Sequence, residues 1–122
     1  MKQKIATFVV VLIIIGLLSV IVLGSGNRKD RPQNMLIFFY GNTCPHCEDV
    51  EEWMVENKIE EKVKIVKKEV YDNRQNSLEL VRAAKYCGLD TNNIGVPFLY
   101  AEGRCLIGAP EIINYLIEKT KD

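Results

Sequence analysis

Cys44-Pro45-His46-Cys47 is flanked on one side by an apolar run, Met35-Leu36-Ile37-Phe38-Phe39-Tyr40, and on the other by a charged, periodic run from Glu48 to Ile59. The first flank predicts a strand covered on both faces. The second predicts a helix that buries Val50, Trp53, Met54 and Ile59. Two thiols three positions apart at such a junction can close on each other. Cys44 then falls at the N-terminal end of the helix, where unpaired backbone N–H groups and the helix dipole favour a negative sulfur. The thiolate is the form that attacks disulfides and also the form that leaves. Pro45 starts a helix without losing a useful hydrogen bond, and His46, the only histidine of the chain, can set positive charge beside Cys44. Both choices favour the reduced dithiol, so an oxidised pair should give its disulfide away. Glu48, Asp49, Glu51 and Glu52 suit the helix dipole but work against a thiolate.

Further along, Val63, Ile65 and Val70 alternate with lysines, predicting a second strand with a partly wet face near residues 62–70. Asn76 with Glu79 three residues on forms a capping-box pattern, and the helix it starts should stop at Gly88. Phe98-Leu99-Tyr100, the turn Ala101-Glu102-Gly103-Arg104 and Cys105-Leu106-Ile107 predict a hairpin. Pro110 then opens a closing helix that should bury Ile112, Ile113, Leu116 and Ile117.

The Pro45-His46 dipeptide inside the cysteine pair resembles that of the DsbA-like bacterial disulfide oxidants, and the surrounding pattern resembles the thioredoxin/glutaredoxin superfamily. Gly95-Val96-Pro97-Phe98 is similar to the segment that carries the cis-proline of that superfamily. The resemblance covers residues from Asn34 onward. It implies an α/β minimal thioredoxin-like fold, a four-stranded mixed sheet with flanking helices. It further implies that Pro97 faces the cysteine pair in the cis form and that the backbone of Val96 is free to pair with substrate. Tyr40, at the end of the first strand, is a second candidate for substrate contact. The chain departs from these families in three places. Between Tyr71 and Val96 there is no room for the helical insertion of the DsbA-like proteins. Phe38 stands where thioredoxins have an aspartate. Of the glutathione-binding pattern of glutaredoxins only Val96, Pro97 and Gly108 match, so protein dithiols are the better expectation than glutathione.

The expected activity is thiol–disulfide exchange through Cys44 and Cys47, with protein thiols as substrates and no cofactor beyond the pair itself. An oxidant is the first reading; a reductase or isomerase of the same fold, or a structural adaptor, are the alternatives. A redox partner must recycle the pair. Cys87 and Cys105 complete an even count of four. A second disulfide between them and two buried free thiols are both open readings. A zinc site is not expected, because their spacing resembles no zinc knuckle.

Residues 5–23 contain no charge and are almost wholly Val, Ile and Leu, a run long enough as a helix to cross about 30 Å of hydrocarbon. The expected organisation is a tail over 1–4, a transmembrane signal anchor over 5–23, a linker over 24–33 and a thioredoxin-like domain over 34–122. The alternative for the apolar run is a signal peptide cut near Gly24, although signal-peptide cores are usually shorter. Lys2 and Lys4 precede the run while Arg28, Lys29 and Arg31 follow it, nearly a tie for the positive-inside rule. Short N-terminal tails more commonly stay in the cytosol, which predicts a single-pass protein of the cell membrane with its domain outside the cytoplasm. From Asn34 onward there are eleven bases and fifteen acids, a net charge of −4 that argues against nucleic acid as a partner.

Overall fold

The structure is a computed structural model that describes residues 1–24 and 35–121. It divides into two units, each taken by itself. The expected linker falls, apart from Gly24, outside the described residues. The N-terminal unit is one α-helix, α1 (Lys2–Gly24), whose side chains from Ile5 to Leu18 are exposed. Its length and composition are sufficient to cross a membrane, and a signal sequence would have the same character.

The second unit runs β1 (Leu36–Tyr40), α2 (Pro45–Glu56), α3 (Ile59–Lys62), β2 (Ile65–Glu69), α4 (Arg74–Tyr86), β3 (Phe98–Ala101), β4 (Arg104–Ile107) and α5 (Ala109–Lys119). The four strands form one sheet in the order β2-β1-β3-β4, with β1 parallel to β2 and antiparallel to β3. β1 is central, and its residues Leu36 to Phe39 are buried on both faces, as the apolar run requires. Leu36 and Phe38 join Val50, Met54, Ile59, Ile112 and Leu116 on the face covered by α2, α3 and α5. Ile37 and Phe39 join Leu80, Ala84 and Phe98 on the face covered by α4. The result is a three-layer sandwich whose middle strand ends at the cysteine motif.

The β3–β4 hairpin closes through Glu102 and Gly103, both at positive φ (52° and 84°), the backbone of a tight two-residue turn that suits the twist of the strands. Several sequence expectations are corrected. The run from Glu48 to Ile59 is not one helix, because the Asn57 side chain and backbone N–H both bond to the Trp53 carbonyl and Lys58 turns to φ 53°. Ile59 is buried, but from the separate turn α3. α4 starts two residues before Asn76: Asn73 is its cap, accepting the Asn76 N–H at 3.1 Å. Glu79 instead pairs with Lys68 of β2. β2 has no wet face and dry face; all five residues are half-buried, with Lys67 turned to Glu60 and Glu51 and Lys68 turned to Glu79. On α5, Tyr115 is buried and Ile117 is exposed, because residues 112, 115 and 116 share the inward stripe. Trp53 is only half-buried, at the margin of the core.

Candidate active site

Cys44 is the N-cap of α2, with extended backbone (φ −102°, ψ 107°) and Pro45 immediately after it. Its N–H donates to the Gly41 carbonyl at 3.2 Å, which closes a turn over residues 41–44. Helix geometry then returns the chain so that Cys47 lies under Cys44, with Cα atoms 5.2 Å apart, and the two are joined as a disulfide. The Cys47 backbone N–H donates to Cys44 Sγ at 3.2 Å. A sulfur at an N-cap takes one of the donors that the first helical turn leaves without a partner. Cys44 is 6% exposed and Cys47 fully buried, so of the two residues Cys44 is the one that reaches the surface.

The Val96–Pro97 peptide bond is cis. The Val96 carbonyl oxygen lies 3.8 Å from Cys44 Sγ. Pro97 is buried, and its own carbonyl accepts the Gly108 N–H at 3.0 Å, which ties this segment to the start of α5. The Val96 side chain packs on the α4 face of the sheet, leaving its backbone toward the cysteines.

The other residues singled out in the sequence are distributed as follows. Pro45 is exposed at the first helical position. His46 is exposed, with Nδ1 3.6 Å from Asp49 Oδ2, so its imidazole engages the carboxylate one turn on. Tyr40 stacks parallel to Phe38, ring centroids 6.1 Å apart, and packs against the α2/α5 side of the core. Phe38 is fully buried beneath the motif. Cys87, the C-cap of α4, and Cys105 of β4 are joined as a second disulfide, Cα atoms 6.2 Å apart.

Sequence reasoning missed a group of residues beneath the Cys44 turn. The Glu69 carboxylate, at the end of β2, accepts four backbone N–H groups: Oε1 those of Tyr71 (2.6 Å) and Asn42 (3.4 Å), Oε2 those of Asp72 (3.0 Å) and Asn73 (3.2 Å). Burial pushes its pKa up, but the N–H groups of Asp72, Tyr71, Asn42 and Asn73 outweigh that and leave it below the ordinary carboxylate value. The Asn42 side chain also donates to Asp72, and the Tyr71 ring lies so close over Gly41 that a Cβ there would fall within it. The turn-forming Asp72-Asn73 pair was the available signal.

No protein-family model matches the chain, and no curated protein does. Among solved structures, the crystal structure of a buckwheat glutaredoxin–glutathione complex matches with a TM-score of 0.50 over 70% of this chain and 74% of that one, at 13% identity. The fold is thioredoxin-like. At that identity the likeness concerns the backbone alone. Within the thioredoxin-like frame, a bonded Cys-X-X-Cys pair at the start of α2 has the Val96 carbonyl, in the peptide just before β3, 3.8 Å from Cys44 Sγ. Such an arrangement can exchange disulfides: it has one cysteine at the surface margin, a buried partner bonded to it, and a backbone donor for the charge that develops.

Proposed function

We propose that this chain is a membrane-anchored protein thiol–disulfide oxidoreductase that works through Cys44 and Cys47 as an oxidant of extracytoplasmic protein thiols. One observation carries the reading: Cys44 Sγ receives the Cys47 N–H at 3.2 Å while Cys47, its bonded partner, is fully buried. In the oxidising direction a substrate thiolate attacks Cys44 Sγ. The mixed disulfide forms, the Cys44–Cys47 bond breaks, and Cys47 takes the electron pair and then a proton. With Phe38 beneath the motif, water or the substrate has to deliver that proton. A second substrate thiolate attacks the substrate sulfur of the mixed disulfide, and Cys44 leaves as a thiolate held by the Cys47 N–H and the helix dipole. The substrate has lost two electrons and the pair has gained two. A thiol-oxidising partner must remove them before the next turnover.

A second reading reverses the direction. His46 engages Asp49 and Glu48 lies in the first turn of α2, so carboxylates oppose a thiolate at Cys44 and favour a reductase or isomerase. Titration of the full-length chain in glutathione buffers separates the two. Strong oxidants of this class have midpoint potentials near about −120 mV and reductants near about −270 mV. A value at the reducing end reassigns the direction, and retention of exchange by Cys44→Ser removes the proposal altogether. The anchor and the placement of the domain outside the cytoplasm rest on α1 and on the charges around it. Labelling of a cysteine-free variant carrying one added surface thiol, from either side of sealed vesicles, tests them.

A further inference from the structure

Glu69 lies 25 positions beyond Cys44 in sequence, yet its carboxylate is the hub of the loop on which the Cys44 turn rests. Four backbone N–H groups converge on its two oxygens, three from residues 71–73 and one from Asn42, two positions before Cys44. The contact is reinforced around it. The Asn42 side chain bonds to Asp72, the Tyr71 ring covers Gly41, and the Val70 N–H donates to the Tyr40 carbonyl at 2.9 Å. Gly41 in turn accepts the Cys44 N–H, so the bed beneath residues 40–42 sets where Cys44 enters α2. We infer that Glu69 is a positioning residue for Cys44, acting through the turn over residues 41–44. The inference rests on the oxidoreductase reading above.

The direction of the effect separates positioning from simple electrostatics. A negative charge near Cys44 disfavours the thiolate, so removing it without disturbing the turn should make Cys44 more reactive. A loosened turn withdraws Cys44 Sγ from the Cys47 N–H and makes it less reactive. Glu69→Gln keeps the size of the side chain but has one acceptor oxygen, and it sets an NH2 donor against backbone donors.

The test measures alkylation of Cys44 by iodoacetamide at pH 7 on full-length chain in detergent micelles, after the Cys44–Cys47 disulfide has been reduced with a phosphine and the excess removed, with Cys47 distinguished by peptide mapping. Glu69→Gln is expected to slow the reaction about tenfold or more, as small misplacements of reacting groups do. The glutathione ratio at half-oxidation is expected to move in the same sense. A rate that is unchanged or increased in a folded variant overturns the positioning role and leaves the oxidoreductase reading standing. Unreactive Cys44 in the unaltered protein overturns that reading first. A second measurement needs no variant: on reduction of Cys44–Cys47, the amide resonances of Tyr71, Asp72 and Asn73 are expected to shift. Resonances that stay fixed overturn the coupling even if Glu69→Gln does not fold.

Discussion

Cys44 and Cys47 are bonded across three positions at the start of a helix, whereas Cys87 and Cys105 are bonded across eighteen, joining the end of α4 to β4. In the first pair Cys44 Sγ receives a backbone donor, the Cys47 N–H at 3.2 Å, with the Val96 carbonyl farther off at 3.8 Å. In the second, the sulfurs lie against carbonyls, Cys105 Sγ 3.4 Å from that of Ala83 and Cys87 Sγ 3.8 Å from that of Gly103. A donor stabilises a departing thiolate and a carbonyl opposes it. Loop closure points the same way: constraining 18 residues is worth about 3 kcal/mol, more than a loop of three can supply. On the proposed function, one bond type serves exchange at one place and constraint at the other, and the Cys47 N–H at Cys44 Sγ is the dipole that sets the two apart.

The sharpest way to break this contrast is at Cys44. Cys44→Ser is expected to abolish disulfide exchange, measured with a fluorescent dithiol peptide, while the double variant Cys87→Ser/Cys105→Ser retains it. Loss of exchange in both would make the second pair part of the reaction. Next in size is the separation of potentials. The pair at α2 should titrate with glutathione, and Cys87–Cys105 should stay oxidised beyond about −300 mV, as structural disulfides do. Mass spectrometry of alkylated peptides across the titration reads both. Third, the double variant is expected to unfold about 3 kcal/mol more easily in urea.

The smallest expected effect concerns the carboxylates near each pair. Glu69 and Glu102 both have pKa values below the ordinary one. Each therefore contributes stability that is present above the unfolded value near 4.5 and lost as pH falls through the lower folded value. Their partners differ. Glu102 is held first by the Lys119 side chain, at 2.6 Å, and Glu69 by backbone N–H groups. Salt should weaken the acid dependence owed to Glu102 and leave that of Glu69, read by comparing Glu69→Gln and Glu102→Gln in acid unfolding at low and high ionic strength.

Most of the architecture was legible because it repeats simple periods. β1 is a continuous apolar run and proves buried on both faces; Gly103 and Gly88 mark a hairpin turn and a helix end, and each adopts the positive φ that those places need. The cysteine motif was legible because the spacing of three matches one helical turn. What escaped depends on contacts between distant segments. Asn57 breaks α2 through bonds to Trp53, and Asn73 outcompetes Asn76 as a cap because Asn76 turns its side chain to the Glu69 carbonyl at 2.9 Å. The bonding of Cys87 to Cys105 required knowing that the end of α4 lies beside the hairpin. Glu69 has no period and no motif, since its partners are backbone groups brought round by a reversal of the chain.

Among the described residues, β2 leaves one edge of the sheet without a neighbouring strand, and the middle of that edge holds Lys67 and Lys68, each engaged with carboxylates on flanking helices. Another copy could extend the sheet there only by stripping water and counter-charges from both lysines. Two charged side chains at the rim therefore make strand-by-strand stacking of copies along this edge costly.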